Sequence, residues 1–251
     1  MKETGILFTP DNIRAIREGR KTQTRRVVKG VALEILNNGF TPKYIVDPGN
    51  SAWNSYGVPG DRLYIKEGWQ TGKNLDDKNG TEIAKMCLDA GYKTPGCPLR
   101  YRSDGTIIKW GEADLLDFGE WGRYRSSRFM PKWAARIWLE LTEVRVERVQ
   151  DISEEDAAAE GCESLESERE EYDWKICPRC GGTRLYEYQS MAGACPDTDC
   201  TECDTYKKRY RYLWDSINAK KHSWASNPWV WALTFKVLPA EGRAGAWRGR
   251  R

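Results

Sequence analysis

The chain has 251 residues, enough for one large domain or for one domain carrying sizeable insertions. Forty Lys and Arg against 37 Asp and Glu leave a net charge of +3, which excludes a global basic field, so any nucleic-acid role must come from local patches. No run of 18 apolar residues occurs and the N-terminus is polar from Lys2 onward; the expectation is a cytoplasmic protein with neither a membrane partner nor a signal peptide.

Gly5 to Phe8 reads as a short apolar strand. Asn12 to Gly19 reads as a helix with Ile13 and Ile16 on one face, opened by Pro10 and Asp11 and closed by Gly19 as a left-handed cap. Arg20-Lys21-Thr22-Gln23-Thr24-Arg25-Arg26 follows, a basic corner free of acids where helix hands over to strand. It is either a solvated charge run or a recognition element whose Lys21 and Thr24 converge on one small target. Residues 29–59 read as loop with one strand at Tyr44 to Val46. After the turn Pro59-Gly60-Asp61, period two puts Glu67 on the same face as Leu63 and Ile65. A carboxylate there needs a cation, expected from the basic corner, unless the strand ends at Lys66 and Glu67 is solvated.

About residues 70–125 the chain lacks a long period and reads as an insertion with short strands, in which Cys87 and Cys97 are ordinary thiols. Ile137 to Val149 alternates as the longest strand. Ser153 then caps a helix over 154–160 that Gly161 ends. Glu160 sits at its C-terminal end, where the helix dipole disfavours an anion, so it calls for a cationic partner or a task.

Five of the eight cysteines cluster between Cys177 and Cys203, which without a secretion signal favours metal over disulfides. Cys177-Pro-Arg-Cys180-Gly-Gly is a knuckle, and Cys200-Thr-Glu-Cys203 follows after 19 residues, the pattern of a zinc ribbon with a hairpin strand at Leu185 to Tyr188. Cys195 is a fifth candidate and leaves the fourth ligand open; the alternative is free thiols in an exposed loop. Four Cys make a closed, structural site with no open position for substrate. Beyond it, Tyr210 to Asn218 reads as helix, His222 as an exposed loop residue, and Trp229 and Trp231 as one face of a closing strand. Residues 239–251 read as a disordered basic tail.

In this order, Gly19 to Arg26, Pro59 to Glu67, Met130-Pro131-Lys132-Trp133-Ala134-Ala135-Arg136, Val146 to Ala157, Leu213 to Asn218 and Asn227-Pro228-Trp229-Val230-Trp231 resemble the ASCH family, in particular its longer phage and prophage members. The resemblance covers about two-thirds of the chain. It implies an α+β fold: a PUA-like small mixed β-barrel with short flanking helices over residues 1–238, plus a zinc-ribbon-like insertion. The insertions would fall at about 70–125 and 163–209, with the Cys-rich module at about 175–205.

Small bacterial members of that family remove the acyl group from N4-acetylcytidine with a Lys, a Thr and a Glu, which fall here on Lys21, Thr24 and Glu160. Other members are described as RNA-binding or nuclease-like. The expected activity is binding of RNA, DNA or a modified nucleoside in a basic cleft, with Arg20, Arg25, Arg26, Glu67 and Arg136 as binding residues and zinc on Cys177, Cys180, Cys200 and Cys203. The alternatives are an amidohydrolase using Lys21, Thr24 and Glu160, in which a neighbour activates the Thr hydroxyl, and a phage scaffold protein.

Overall fold

The computed structural model describes residues 1–109, 119–162, 177–181, 185–186, 189–190, 193–194 and 198–239. The readings of Cys195 as a ligand and of residues 240–251 as tail fall outside them. In chain order the elements are β1 (Glu3–Leu7), α1 (Pro10–Arg17), β2 (Gln23–Val27), α2 (Val31–Asn37), α3 (Pro42–Val46), β3 (Arg62–Lys66), β4 (Trp69–Gln70), α4 (Gly80–Asp89), β5 (Pro98–Tyr101), β6 (Ile107–Lys109), β7 (Trp138–Arg148) and α5 (Glu154–Ala159). There follow β8 (Leu185–Tyr186), β9 (Gln189–Ser190), β10 (Gly193–Ala194), β11 (Thr198–Asp199), α6 (Tyr206–His222) and β12 (Trp229–Val237). The class is α+β, and no sheet closes into a barrel among the described residues. No described helix is long and apolar enough to cross a membrane.

The expected loop over 29–59 instead holds two helices, α2 and α3. Tyr44 to Val46, read as a strand, lies inside α3, because Thr41 accepts a hydrogen bond from Tyr44 N and Pro42 occupies the first turn, so capping outweighs β-branched content. The insertion at 70–125 holds a helix as well as short strands. Asn79 and Glu82 form a reciprocal capping box that starts α4, while Ile83 and Cys87 bury one face of it. Helix α6 is longer at both ends than its apolar pair suggested and takes in His222.

The chain divides into two units. The first comprises Met1–Arg14, Ser55–Thr142 and Phe235–Arg251. In it β1 runs parallel to β3, with Ile6 opposite Ile65, and β3 runs antiparallel to the start of β7, with Leu63 opposite Leu139. A second sheet, β4-β5-β6, pairs Trp69 with Tyr101 and Leu99 with Ile108. Trp69, Leu99, Tyr101, Met130 and Trp138 fill its core together with Cys87 and Cys97. Burial pushes the Cys97 thiol up to about 11, so it stays protonated and inert at neutral pH.

The second unit comprises Ala15–Asn54 and Glu143–Thr234. Strand β12 pairs antiparallel with β2, from Val230 opposite Val27 to Thr234 opposite Gln23. Val149, Ile152, Ala157, Tyr210, Trp214 and Val230 build its core, and the four clustered cysteines belong to the same cluster. Of the expected hairpin strand at Leu185 to Tyr188, Leu185–Tyr186 pairs with Thr198–Asp199 around the β9-β10 pair, and residues 187–188 lie outside the described residues.

Candidate functional site

The second unit gathers its charged side chains where α1 ends and β2 begins. Gly19, at φ +76°, turns the chain out of the helix. Lys21 N then donates to Ala15 O, and Thr22 N donates to Ala159 O at 2.9 Å, so the corner is tied to the last turn of α5. Ser153 caps the start of that helix, and Glu160 forms its C-cap. Lys21 and Glu160 make an isolated antiparallel bridge. The Lys21 ammonium donates to Glu160 Oε2 at 2.6 Å and to the Glu160 carbonyl at 2.7 Å. Both residues are buried, at 2 % and 3 % exposure.

Arg25 holds the other side of the same carboxylate. Its Nη1 donates to Glu160 Oε1 at 3.2 Å and to Gln23 Oε1 at 2.6 Å. Its Nε and Nη2 fork onto Glu147 Oε1 at 2.9 and 2.6 Å, and Nη2 also reaches Asp156 Oδ2 at 2.9 Å. Arg145 Nη2 donates to the same Asp156 oxygen at 2.7 Å. Three cations therefore face three carboxylates in a network that a planar guanidinium suits better than an ammonium would.

Burial lowers the pKa of Lys21, and Glu160 opposes that shift through charge and hydrogen bond; the Arg26 charge adds a smaller lowering. The cationic neighbour is thus secondary to desolvation. Arg25 moves the other way: burial disfavours its charge, but Glu160 and Glu147 more than compensate. Burial pushes the nearby Cys162 thiol up to about 12, and Tyr210, under the Arg25 guanidinium at 5.8 Å, is likewise raised by burial.

The structure brings Lys21 and Glu160 together, but not every candidate joins them. Gln23 and Arg25 point their side chains at the acidic cluster, so alternation along β2 sends Thr24 to the opposite face, where its strand neighbour is Leu233. Arg20 is exposed, pairs with Glu18 and reaches the Gly161 carbonyl at 3.3 Å. Arg25 has a fully covered side chain, and Arg26 is half-buried. Glu67 and Arg136 belong to the first unit. Glu67 is buried as alternation requires, but its cation is Arg136 rather than one from the basic corner. Arg136 donates to Glu67 at 2.9 and 2.7 Å and to Asp104 at 3.1 Å, while Ser103 Oγ donates to Glu67 Oε2 at 2.5 Å.

Sequence reasoning missed Glu147, Asp156 and Gln23 as members of the network. Asp156 is a first-turn acid of α5 and Glu147 a polar residue of the alternating strand β7, places where an acid needs no distant partner. The run from Arg20 to Arg26 is polar at every position, so alternation there gave no signal for which side chains face the acids. In this conformation the Lys21 ammonium and both Glu160 carboxylate oxygens are engaged internally, so a ligand reaching them must exchange one of these hydrogen bonds for its own.

The same unit holds a candidate metal centre. Sγ atoms of Cys177, Cys180, Cys200 and Cys203 all lie within 4.8 Å of one another, and all four residues are buried. Cys177 and Cys200 are 3.9 Å apart and Cys180 and Cys203 3.5 Å, too far for a disulfide and close to the roughly 3.8 Å edge of a tetrahedron with about 2.3 Å metal–sulfur bonds. Gly181, at φ +60°, lets its N–H turn back to the Cys177 carbonyl, shaping the knuckle. Burial raises the Cys200 and Cys203 thiols, leaving a pocket of polarisable sulfur that a cation would convert to thiolate. The four residues could hold one metal ion. The chain matches no family model, no curated protein and no solved structure, so both centres rest on their own geometry.

Proposed function

We propose that the chain is an ASCH-type protein of PUA-like architecture that binds RNA, DNA or a modified nucleoside at the Lys21–Glu160 junction. The observation that carries this reading is the 2.6 Å contact between those side chains, 139 positions apart, joining the positions on which the family's Lys and Glu fall. A donor and an acceptor held side by side match the hydrogen-bonding edge of a nucleobase. Zinc on Cys177, Cys180, Cys200 and Cys203 stiffens the same unit without touching substrate. It supplies cross-linking energy rather than catalysis.

Acyl-group hydrolysis is the second reading, favoured by the lowered basicity of Lys21 beside a carboxylate. It ranks second because Thr24, its nucleophile, alternates away from Arg25 and Gln23 in β2.

Calorimetric titration with cytidine, the other nucleosides and N4-acetylcytidine tests the binding reading. Saturable binding is expected, weakened about tenfold or more by Glu160→Gln, since the amide no longer balances the Lys21 ammonium. Failure of every nucleoside to bind at millimolar concentration overturns it, and release of cytidine from the acetylated nucleoside promotes the hydrolase.

A further inference from the structure

The first unit has a surface of different construction, centred on Arg125. Isolated bridges pair Trp69 with Arg125 and Gly72 with Trp121, clipping this segment onto β4. The Arg125 guanidinium lies 4.6 Å over the Trp69 ring and donates to the Leu75 and Lys78 carbonyls. Its side chain is 9 % exposed, and its nearest carboxylate, Asp76, is 3.8 Å away and already accepts from Arg123 N. Arg125 Nε and the Trp69 indole N–H are both buried without a partner. The positive charge is therefore held in place chiefly by neutral carbonyls and a ring face, and it remains under-compensated.

Two cavities flank this residue, of about 490 and 530 Å³, and Tyr124, Arg125 and Ser126 line both. Each is large enough for one nucleotide. The second is lined further by Arg102, Ser103 and Ser127 without a carboxylate, whereas in the wall of the first Asp77 and Glu82 accompany Lys78 and Arg123. Tyr124 is 46 % exposed and Phe129, lining the first, is 69 % exposed. The Arg102 guanidinium sits 5.8 Å over the Tyr124 ring. Exposed aromatic rings alternating with cations, on either side of a guanidinium whose one carboxylate lies 3.8 Å away, form a stacking platform along a phosphate track.

We propose that this surface binds single-stranded nucleic acid, one base in each cavity against Tyr124 and Phe129, with the intervening phosphate above Arg125 and beside Arg102. Bases already paired in a duplex have their faces covered and cannot enter, so the surface selects single strands. It does not depend on the reading of the Lys21 site.

The test is fluorescence anisotropy of the full chain with labelled ten-nucleotide oligo(U), oligo(dT) and a duplex. Both single strands should bind more tightly than the duplex, and their ratio reports any preference for ribose. Phe129→Ala and Tyr124→Ala should each weaken single-strand binding about fivefold or more. Arg102→Ala should reduce the slope of log affinity against log salt by about 1. All three positions are exposed, so the fold should survive, as circular dichroism would verify. No measurable binding, equal affinity for the duplex, or insensitivity to all three substitutions overturns the proposal. Sensitivity to Glu160→Gln alone would move strand binding to the other site and sink this one while leaving the nucleoside reading intact.

Discussion

Lys21 and Glu160 are joined twice, once through the carboxylate and once through the Glu160 carbonyl, and Arg25 shares the carboxylate from its other oxygen. The two partners are therefore unequal. Glu160→Leu takes the carboxylate away from the buried Lys21 ammonium and leaves Arg25 short of one acid, which should cost about 3–5 kcal/mol. Lys21→Met leaves Glu160 still bound by Arg25 and should cost clearly less. Urea unfolding of the two variants measures the difference, and equal or reversed losses would mean that Arg25 does not support the carboxylate as drawn.

Gly161 makes the same junction sensitive to a single methyl group. It sits at φ +83°, and a Cβ built there would lie 2.8 Å from Lys21 Cβ and 3.2 Å from Ala15 Cβ. Strain and clash act together, so Gly161→Ala should destabilise by roughly 1–3 kcal/mol. Nucleoside affinity should fall with it. Lys21 must shift to make room, so a variant that keeps wild-type stability would place the helix end elsewhere.

What could be read in advance follows from how local each cause is. Ser153, Gly161 and the alternation of β7 act within a few residues, so α5, its misplaced terminal acid and the long strand were all legible. The capping box of Asn79 and Glu82 is equally local, but the ten residues of α4 are too few to show a long hydrophobic period. The basic corner misled for the opposite reason. Its cations are adjacent in the chain, whereas Glu147, Asp156 and Glu160 arrive from more than 120 residues away, so a stretch without acids folds into a nearly balanced cluster.

In the first unit, Asp104 sets an acid limit on stability. Burial disfavours its charge, but hydrogen bonds from Arg136 and Thr106 outweigh this and hold it at about 2, below the ordinary 3.8. A depressed folded-state pKa means that the unfolded chain binds the proton first. The contribution is complete above about pH 4 and is lost as pH falls towards 2. Asp104→Asn should lower stability at pH 6 and flatten its dependence below pH 4, as followed by thermal melts across that range. An unchanged acid slope would remove Asp104 from the account.

The cysteine cluster predicts a metal dependence with a proton signature. Purified protein should carry one zinc per chain by mass spectrometry, and Cys177→Ser or Cys203→Ser should abolish it. Chelation should lower the melting temperature by roughly 5 °C or more, corresponding to a loss of about 2 kcal/mol. Since burial keeps the Cys200 and Cys203 thiols protonated, adding zinc to stripped protein should acidify a weakly buffered solution. A stripped chain with an unaltered melt and no proton release would reduce the four thiols to ordinary core residues.

Thr24 is the residue on which the binding and hydrolytic readings part. It is buried at 3 % exposure, between two residues whose side chains both turn to the acidic cluster. Period two directs its hydroxyl away from Glu160. Thr24→Val preserves shape and should leave nucleoside affinity within about twofold, with a stability change of about 1 kcal/mol or less. Arg25→Lys provides the contrast, because one ammonium cannot fork to Glu147 while reaching Asp156 and Glu160. It should cost about 3 kcal/mol and weaken nucleoside binding. Calorimetry and urea melts on both variants give the comparison. If Thr24→Val instead abolished a measurable deacylation while the fold stayed intact, the hydroxyl would be the nucleophile and strand β2 would have to rotate during turnover.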